Sequence, residues 1–552
     1  MAKTDKSAKA RLLASASSSL KPHAAAPDKL PGSAAKAYTT GYMRGGRSVA
    51  MNAWHPGLRE AQDDVAAAWD KAAARANDAI INSGWLSGAL EQCVANVVGT
   101  GLRLKAQPEN ELFGMSNADA RAWCKLVEQR FGLWANRPEE CDAEGKRTFG
   151  QLQAAAFRGW MASGEILSEV GWKERGWTRY GTKVRVMPAH RLCRDSDDMQ
   201  RLHTGVYVDD DGAPIAYLTQ KRSPIMGWAK KRIAARDAYG RLLLGHFHDG
   251  PLGSHRGIGP LVAVLQVVRQ FDDLSDATLA AQILKTLWAA VIESPAPTEE
   301  FLTGFLTDKE RALMQVNGEA PIDAYFDMLS GFYDASPISV GQNGRVGHLM
   351  PGDKFELKTP GAPSGEYQDY ANDLKREIAR ALGMTFESFT GDYQGASYNS
   401  MSYGTTEIFE VTKKRRTDLV APFCQMGYEA WLEEEIDRGD IPFPGGIDAF
   451  VANRAAASRA FWRGSPRPIP DILKAAKAYE ILERTGVASQ GMIADAMFGS
   501  DIEDVYAQRE QEAELRKEYG LPEPSYMNAA GGGTGANPIG NDDPDDEQED
   551  DA

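Results

Sequence analysis

The sequence predicts an α+β protein in which a mixed body of strands and helices carries long, proline-free rods. Three observations lead there. Between residues 165 and 248 short runs alternate apolar and polar side chains and close on turn residues, which is the period of strands. From Pro260 to Pro295 there are 34 intervening residues without a proline, with apolar positions at near-helical spacing. A second stretch, Glu366–Leu382, repeats that spacing.

The bulk composition fits this. Of 552 residues, 43% are apolar and 25% charged, which is ordinary for a soluble globular chain, and the length leaves room for roughly three or four domains. Residues 1–50 hold nine Lys/Arg against two Asp, net +7, among Ala, Ser and Pro; the last twelve, NDDPDDEQEDDA, hold eight acids and no base. Neither end can bury enough apolar surface to offset its ordering entropy, so a disordered basic arm (1–45) and a disordered acidic tail (526–552) are expected. Against an overall −15, the remainder is −14, which argues against a tight nucleic-acid binder built on phosphate neutralisation. The opening twenty residues hold no sustained apolar run, and the longest apolar stretch, Ile258–Val268, is too short to span a bilayer, so neither an export signal nor a membrane span is expected. Five cysteines lie far apart with no C-x-x-C pair, which reads as reduced, buried thiols.

Taken in order, residues 56–95 are helical, and VANVVGTGLRLKAQ (94–107) reads as a short strand broken by Gly99 and Gly101. Its GTG is not a phosphate loop, because no Lys follows at the required spacing. Helices follow at 118–134 and near 149–163, then strands in EILSEVGWKE and TKVRVMPAHRL. VYVDDDGAPIAYLTQK (206–221) is a hairpin turning at Asp211-Gly212. His246 and His248 in LGHFHDG would point the same way from a strand, beside Asp249, but no third ligand pattern accompanies them. GASYN is not a nucleophile elbow. No catalytic or metal site, and no cofactor, is expected.

The first rod carries Leu261, Leu265, Val268, Phe271, Ile283, Leu287 and Val291 on its apolar positions, over roughly 50 Å if helical throughout. The second places Tyr367, Tyr370, Leu374, Ile378 and Leu382 on one stripe, with acids early, bases late and Gly383 as C-cap. A third helix, about 405–437, carries Pro422 in its interior and should kink there. Between the last two lies FTGDYQGASYNSMSYG, whose stretch from Gly391 to Ser402 holds one charge, Asp392. Just beyond it, Lys413, Lys414, Arg415 and Arg416 form either a solvated or ion-paired helix face or a basic surface that would hold a polyanion.

RANDAIINSGWLSGALEQCVANVVGTGLRL, GHFHDGPLGSHRGIGPLVAVLQVVRQFDDLSDATLAAQILK, MPGDKFELKTPG, FESFTGDYQGASYNSMSYG and PDILKAAKAYEILERTGVASQGMIADAMFGSDIEDVYAQRE together resemble the lambda-type family of bacteriophage portal proteins, in the family's order, over about 44–520. Two departures stand out: Ser402 where the family often has Arg, and a variant entry, RPIPDILK, to the C-terminal helices. The resemblance implies a portal-type fold and a ring of about twelve subunits around a channel for double-stranded DNA. Its parts would be an α/β wing (46–255), a stem (256–294 and 353–383), a small clip (295–352), a tunnel-loop region (384–402), a kinked helix (403–438) and a helical crown (439–525). It further implies a location at the capsid portal vertex of the virion, reached through assembly in the host cytoplasm. The implied partners are the terminase large subunit, the major capsid or scaffolding protein and head-completion or adaptor proteins.

On this reading Asp392, Tyr393, Gln394, Gly395, Ser397, Tyr398, Asn399 and Ser400 line the narrowest part of the channel, where neutral hydroxyls and amides would let DNA slide. The two tyrosines would touch the duplex or pack on a neighbouring subunit. Leu261, Leu265, Val268, Leu287, Leu374 and Ile378 would join subunits through faces that a monomer exposes. The rival readings are a metal-dependent nuclease or hydrolase on His246, His248 and Asp249, and a head–tail adaptor ring; the first leaves the rods unexplained, and adaptors are far shorter chains.

Overall fold

The computed structural model describes residues 57–223, 227–286, 290–293, 330–331, 354–357, 365–469 and 471–522. The expected basic arm, the acidic tail, Leu287 and almost all of the expected clip lie outside them. The elements that follow all belong to the unit Glu60–Ala552.

The N-terminal helical stretch is two helices, α1 (Ala61–Asn82) and α2 (Gly84–Val97), broken at Ser83, whose backbone is extended. The helix runs through the first residues expected in a strand. Gly99 and Gly101 both have positive φ and turn the chain, and only Arg103–Ala106 forms a strand, β1. The helices α3 (Asn117–Ala135) and α4 (Phe149–Ser163) fall where the sequence places them, the second under a capping box made by Thr148 and Gln151. Strand β2 (Glu165–Trp172) pairs antiparallel with β3 (Thr182–Met187) on one side and, across the fold, with β8 (Leu244–His248). A second sheet has the order β4 (Leu202–His203), β5 (Val206–Val208), β6 (Pro214–Ser223), β7 (Gly227–Ala234), with the expected turn at 209–212 between β5 and β6.

The first rod is shorter than its proline-free span. A 3-10 turn at Pro260–Val264 leads into α5 (Leu265–Thr286), and Ala290–Glu293 is a strand, β9. At 1.5 Å per residue, α5 is about 33 Å long rather than about 50 Å. Strand β9 pairs with β10 (Lys354–Leu357), Val291 opposite Glu356, so both ends of the 295–352 excursion return to one place. Helix α6 (Gly365–Leu382) packs along α5 and the 3-10 turn.

That packing corrects the expected stem interface. Leu261, Val268, Leu374 and Ile378 are nearly solvent-free within one chain, and Leu265 is packed against the same core. They join the two rods of one subunit instead of waiting exposed for a neighbour. Tyr370 leaves the expected stripe for solvent, while Leu279 and Ile283, further along α5, are exposed.

The last long helix begins earlier than expected. It runs as α8 (Tyr398–Arg415), a π-helical turn (Arg416–Val420) and α9 (Ala421–Asp437), so the break ahead of Pro422 is a π turn. Helix α9 is buried on nearly all sides, Glu434 and Glu435 included. Phe423, Tyr428, Trp431 and Leu432 are fully enclosed, and Phe131 meets Tyr428, Trp431 and Trp462 edge-on at 5.2–5.8 Å. After α10 (Gly446–Ala452), strand β11 (Ala460–Arg463) pairs with β1. Residues 421–463, which the sequence divides between a kinked helix and a crown, therefore share one hydrophobic core with α2, α3, α4 and β2.

Helices α11 (Ile472–Arg484), α12 (Gln490–Phe498) and α13 (Ile502–Tyr519) complete the described chain. They are tied to the β1–β11 ribbon by ions: Arg463 reaches Asp495 (2.7 Å) and Asp501 (3.2 Å), and Lys105 reaches Asp501 (2.9 Å). Of their residues only Ala494 is buried. All five cysteines are unpaired. Among the described residues no helix is long and apolar enough to cross a membrane.

Candidate functional site

The neutral segment is a short turn set on a rigid base. Helix α7 (Phe386–Thr390) is capped by Thr385, whose hydroxyl accepts from the Ser388 amide, and ends at Gly391. Gly391 (φ 69°) and Gly395 (φ 75°) hold left-handed conformations that residues with a Cβ rarely adopt. Between them the Asp392 carboxylate accepts from the Gln394 amide (3.0 Å), so the only charge in the turn is engaged with backbone. Ser397 then caps α8 by accepting from the Ser400 amide (3.2 Å).

The expected loop of 389–402 thus narrows to 391–397, and Tyr398, Asn399 and Ser400 stand on the first helical turn. Every residue from Gly391 to Ser400 except Ala396 is exposed. Tyr398 lies 5.7 Å beneath the Lys474 ammonium of α11, a partner within the same chain. Tyr393 lines a groove with Gln92 and Met401. Tyr403, which the sequence reading passed over, is 79% exposed on α8; its place in a polar, low-charge helix start was the available signal.

The base is aromatic. Trp85 of α2 stacks on Phe389 of α7 (5.7 Å) and meets Phe271 of α5 edge-on (6.4 Å), with the Lys375 ammonium of α6 4.6 Å over its ring. Gln92 donates to the Ser388 hydroxyl at 2.8 Å. Gly404 allows α8 to lie against Thr385, since a Cβ there would come within 2.9 Å of the Thr385 methyl. One indole therefore fixes the start of the turn to both rods.

The four basic residues beyond the turn do not share a face. Lys413 is exposed, and Lys414 pairs with Asp249 (3.3 Å) and Asp418 (3.0 Å). Arg415 turns inward, donates to the Leu382 carbonyl at the end of α6 (2.7 Å) and lies 5.6 Å from the Trp160 ring. Arg416 donates to the carbonyls of Val97 and Asn96 at the end of α2 (both 3.1 Å) and to that of Ser465 (3.3 Å). Each arginine thus caps a helix C-terminus, where a cation meets the unsatisfied carbonyls and the negative end of the dipole. Burial pushes both guanidinium pKa values down, yet from a range so high that they stay charged. The reading of a single basic channel face is corrected accordingly: Arg415 is engaged with the end of α6, and Arg416 with the end of α2 and with Ser465. Arg416→Ala removes three charge-assisted hydrogen bonds and should cost about 2–4 kcal/mol, read as a lowered chemical-denaturation midpoint, with Arg416→Lys recovering only part.

His246 and His248 share one side of β8 with ring centroids 4.8 Å apart. Asp249 faces Lys414 instead, and among the described residues no group of three His, Cys, Asp or Glu could hold a metal ion. Both imidazoles lie by Glu165, which is fully buried and held by the Arg256 guanidinium through two bonds (2.5 and 2.9 Å) and by the Gly257 amide (2.9 Å). Burial would raise the Glu165 carboxyl, but His246 and Arg256 outweigh it and hold it at about 2. Burial, then the charge of His246, lowers His248 to about 4. A base depressed in the folded state contributes stability above its unfolded pKa and loses it as pH falls through the folded value. The fold around β2 and β8 should therefore weaken between about pH 6.5 and 4, with Glu165 adding to the loss only further down, from about pH 4.5 towards 2. Thermal melts across that range check it, and His248→Asn should flatten the upper part.

Residues 47–416 match the family model described as phage portal protein, lambda family. Over 505 residues the chain is 26% identical to the portal protein of Escherichia phage N15, covering 89% of this chain and 93% of that protein. Over 503 residues it is 25% identical to portal protein B of Escherichia phage lambda, covering 89% and 92%. Among solved structures it is similar to a chain in the virion of a native gene transfer agent particle, at 15% identity and a TM-score of 0.39, covering 87% of this chain and 99% of that one. It is also similar to a chain in the neck of the native particle computed with C12 symmetry, at 16% identity and a TM-score of 0.35, covering 79% and 100%.

Proposed function

This chain belongs to the lambda family of phage portal proteins, and from that premise we propose that its copies, about twelve, close into a ring whose channel passes double-stranded DNA during packaging and ejection. The observation that carries the proposal is the exposed, almost chargeless turn 391–397 on a base bolted to both rods. DNA has to cross a constriction without being held there. A ring of exposed cations would hold phosphates and stall sliding, whereas hydroxyls and amides exchange hydrogen bonds with phosphate and water at little net cost. The turn carries Gln394 and Ser397, the first helical turn adds Asn399 and Ser400, and Asp392 is tied to its own backbone. With Arg415 and Arg416 withdrawn into helix caps, Lys413 is the cation of that group left exposed without an ion pair among the described residues.

Ring closure is assigned to a different surface from the stem stripe. Helices α11 to α13, with the α11–α12 turn, expose Ile472, Leu473, Ile481, Val487, Met492, Phe498 and Leu515, apolar side chains that the described residues of one subunit leave uncovered and that neighbouring copies would cover. The segment 295–352 is the proposed dock for the terminase large subunit and later for head-completion proteins. The wing is the proposed contact with the capsid or scaffolding protein at the portal vertex. Electron microscopy of the purified full chain tests the reading: rings with a central hole are expected, and a uniform population of monomers at micromolar concentration would overturn it.

A further inference from the structure

The wing carries a basic cleft on a body that is otherwise acidic. It opens between the end of β3 and the β6–β7 hairpin, has a volume of about 390 Å³, and is lined by Arg185, Arg191, Lys221, Arg222 and Lys231 against Glu144 and Glu169. The hairpin register explains the grouping. Thr219 lies opposite Lys231 and Lys221 opposite Ala229, so Lys221 and Lys231 rise on the side where Tyr217 and Ile233 pack into the core nearer the base. Glu169 takes up part of the charge, at 3.5 Å from Arg185 and 3.9 Å from Lys231. Arg191 is held flat, 4.3 Å over the Trp228 ring. Lys221 and Arg222 are exposed and make no ion pair among the described residues. Five cations against two acids leave the cleft at +3, while residues 51–540 together carry −14.

We propose that this cleft docks the acidic C-terminal segment 541–552 of the same protein, from its own or a neighbouring copy. Three observations favour that occupant. The segment has eight carboxylates and no base, so its charge is complementary to the cleft. A volume of about 390 Å³ takes in a few residues of an extended chain but not a duplex. Between Pro522, the last described residue, and Asn541 lie 18 residues rich in Gly and Ala, a chain that spans up to about 60 Å. Because the segment has no aliphatic side chain larger than Pro544 and Ala552, the contact is electrostatic and weak, and linkage at an effective concentration of about millimolar is what fills it.

The test uses the full chain, a chain ending at residue 540, and a fluorescein-labelled peptide of sequence 541–552 as probe. The peptide should bind the shortened chain at least fivefold more tightly than the full chain, and binding should vanish between about 50 and 500 mM salt. Lys221→Gln with Arg222→Gln and Lys231→Gln in the shortened chain should abolish binding without altering sedimentation. Carbodiimide coupling of the full chain should join acids of 542–551 to Lys221 or Lys231. Equal peptide binding by both chains would overturn the proposal, as would coupling confined to lysines of residues 1–50. A duplex of 20 base pairs that binds full and shortened chains alike, and is lost with the three substitutions, would make the cleft a nucleic-acid site and equally overturn it.

Discussion

Gln394→Lys combined with Asn399→Lys is expected to slow DNA translocation sharply, by an order of magnitude or more at low salt, and to release that block as salt rises. Both positions are exposed and neither caps a helix. Ser397 is a poorer choice, because its hydroxyl caps α8 and a lysine there would confuse loss of the cap with gain of charge. Two cations per subunit become about twenty-four around a ring of about twelve, each releasing a counterion where it meets a phosphate. The companion variant deletes 392–396 and leaves Ser397 in place. It removes almost no buried area, so rings and heads should form, but filled heads should be fewer or should leak. A packaging assay across salt concentrations reads both. Normal rate and filling in the two variants would mean that the turn does not face DNA.

Leu473→Asp with Ile481→Asp should convert rings into folded single subunits. Leu473 is 76% exposed and Ile481 60% exposed in the isolated chain, so the charges cost the subunit little and fall entirely on the contact between copies. Leu261→Asp or Ile378→Asp should behave differently. Those side chains are about 2% exposed between the rods, and an unpaired charge buried there costs several kcal/mol and unfolds the subunit itself. Sedimentation velocity separates the two effects when paired with circular dichroism: loss of rings with helicity retained for the first pair, loss of both for the second. Intact rings in Leu473→Asp/Ile481→Asp would remove α11 from the interface.

The sequence by itself determined the elements whose signals are local. Helix α4 begins at its Thr-x-x-Gln box, α6 ends at Gly383, and the β5–β6 turn falls on Asp211-Gly212, because caps and turns are decided by neighbours within four residues. The family likeness was legible too, being spread through the chain in order. The composition of the turn marked it as neutral and hydroxyl-rich, although its length was overread, since Ser397 as a helix cap looks like any other serine in a polar run.

What only the tertiary structure decided depends on partners far along the chain. The apolar stripe of a rod looks the same in sequence whether it meets its own second rod or another subunit, and the pairing of Leu261 and Val268 with Leu374 and Ile378 chose the former. The four basic residues at 413–416 read as one patch because consecutive charges are counted together. At 3.6 residues per turn successive side chains point about 100° apart, and the free carbonyls that attract Arg415 and Arg416 lie on helices that end roughly 30 and 320 residues away. Trp85, Phe271 and Phe389 carry no sign that they will meet, and β1 finds β11 across more than 350 residues. Periodicity reports that a face must be covered; the fold alone determines what covers it, because burial is set by whichever complementary surface is held closest, regardless of its distance along the chain.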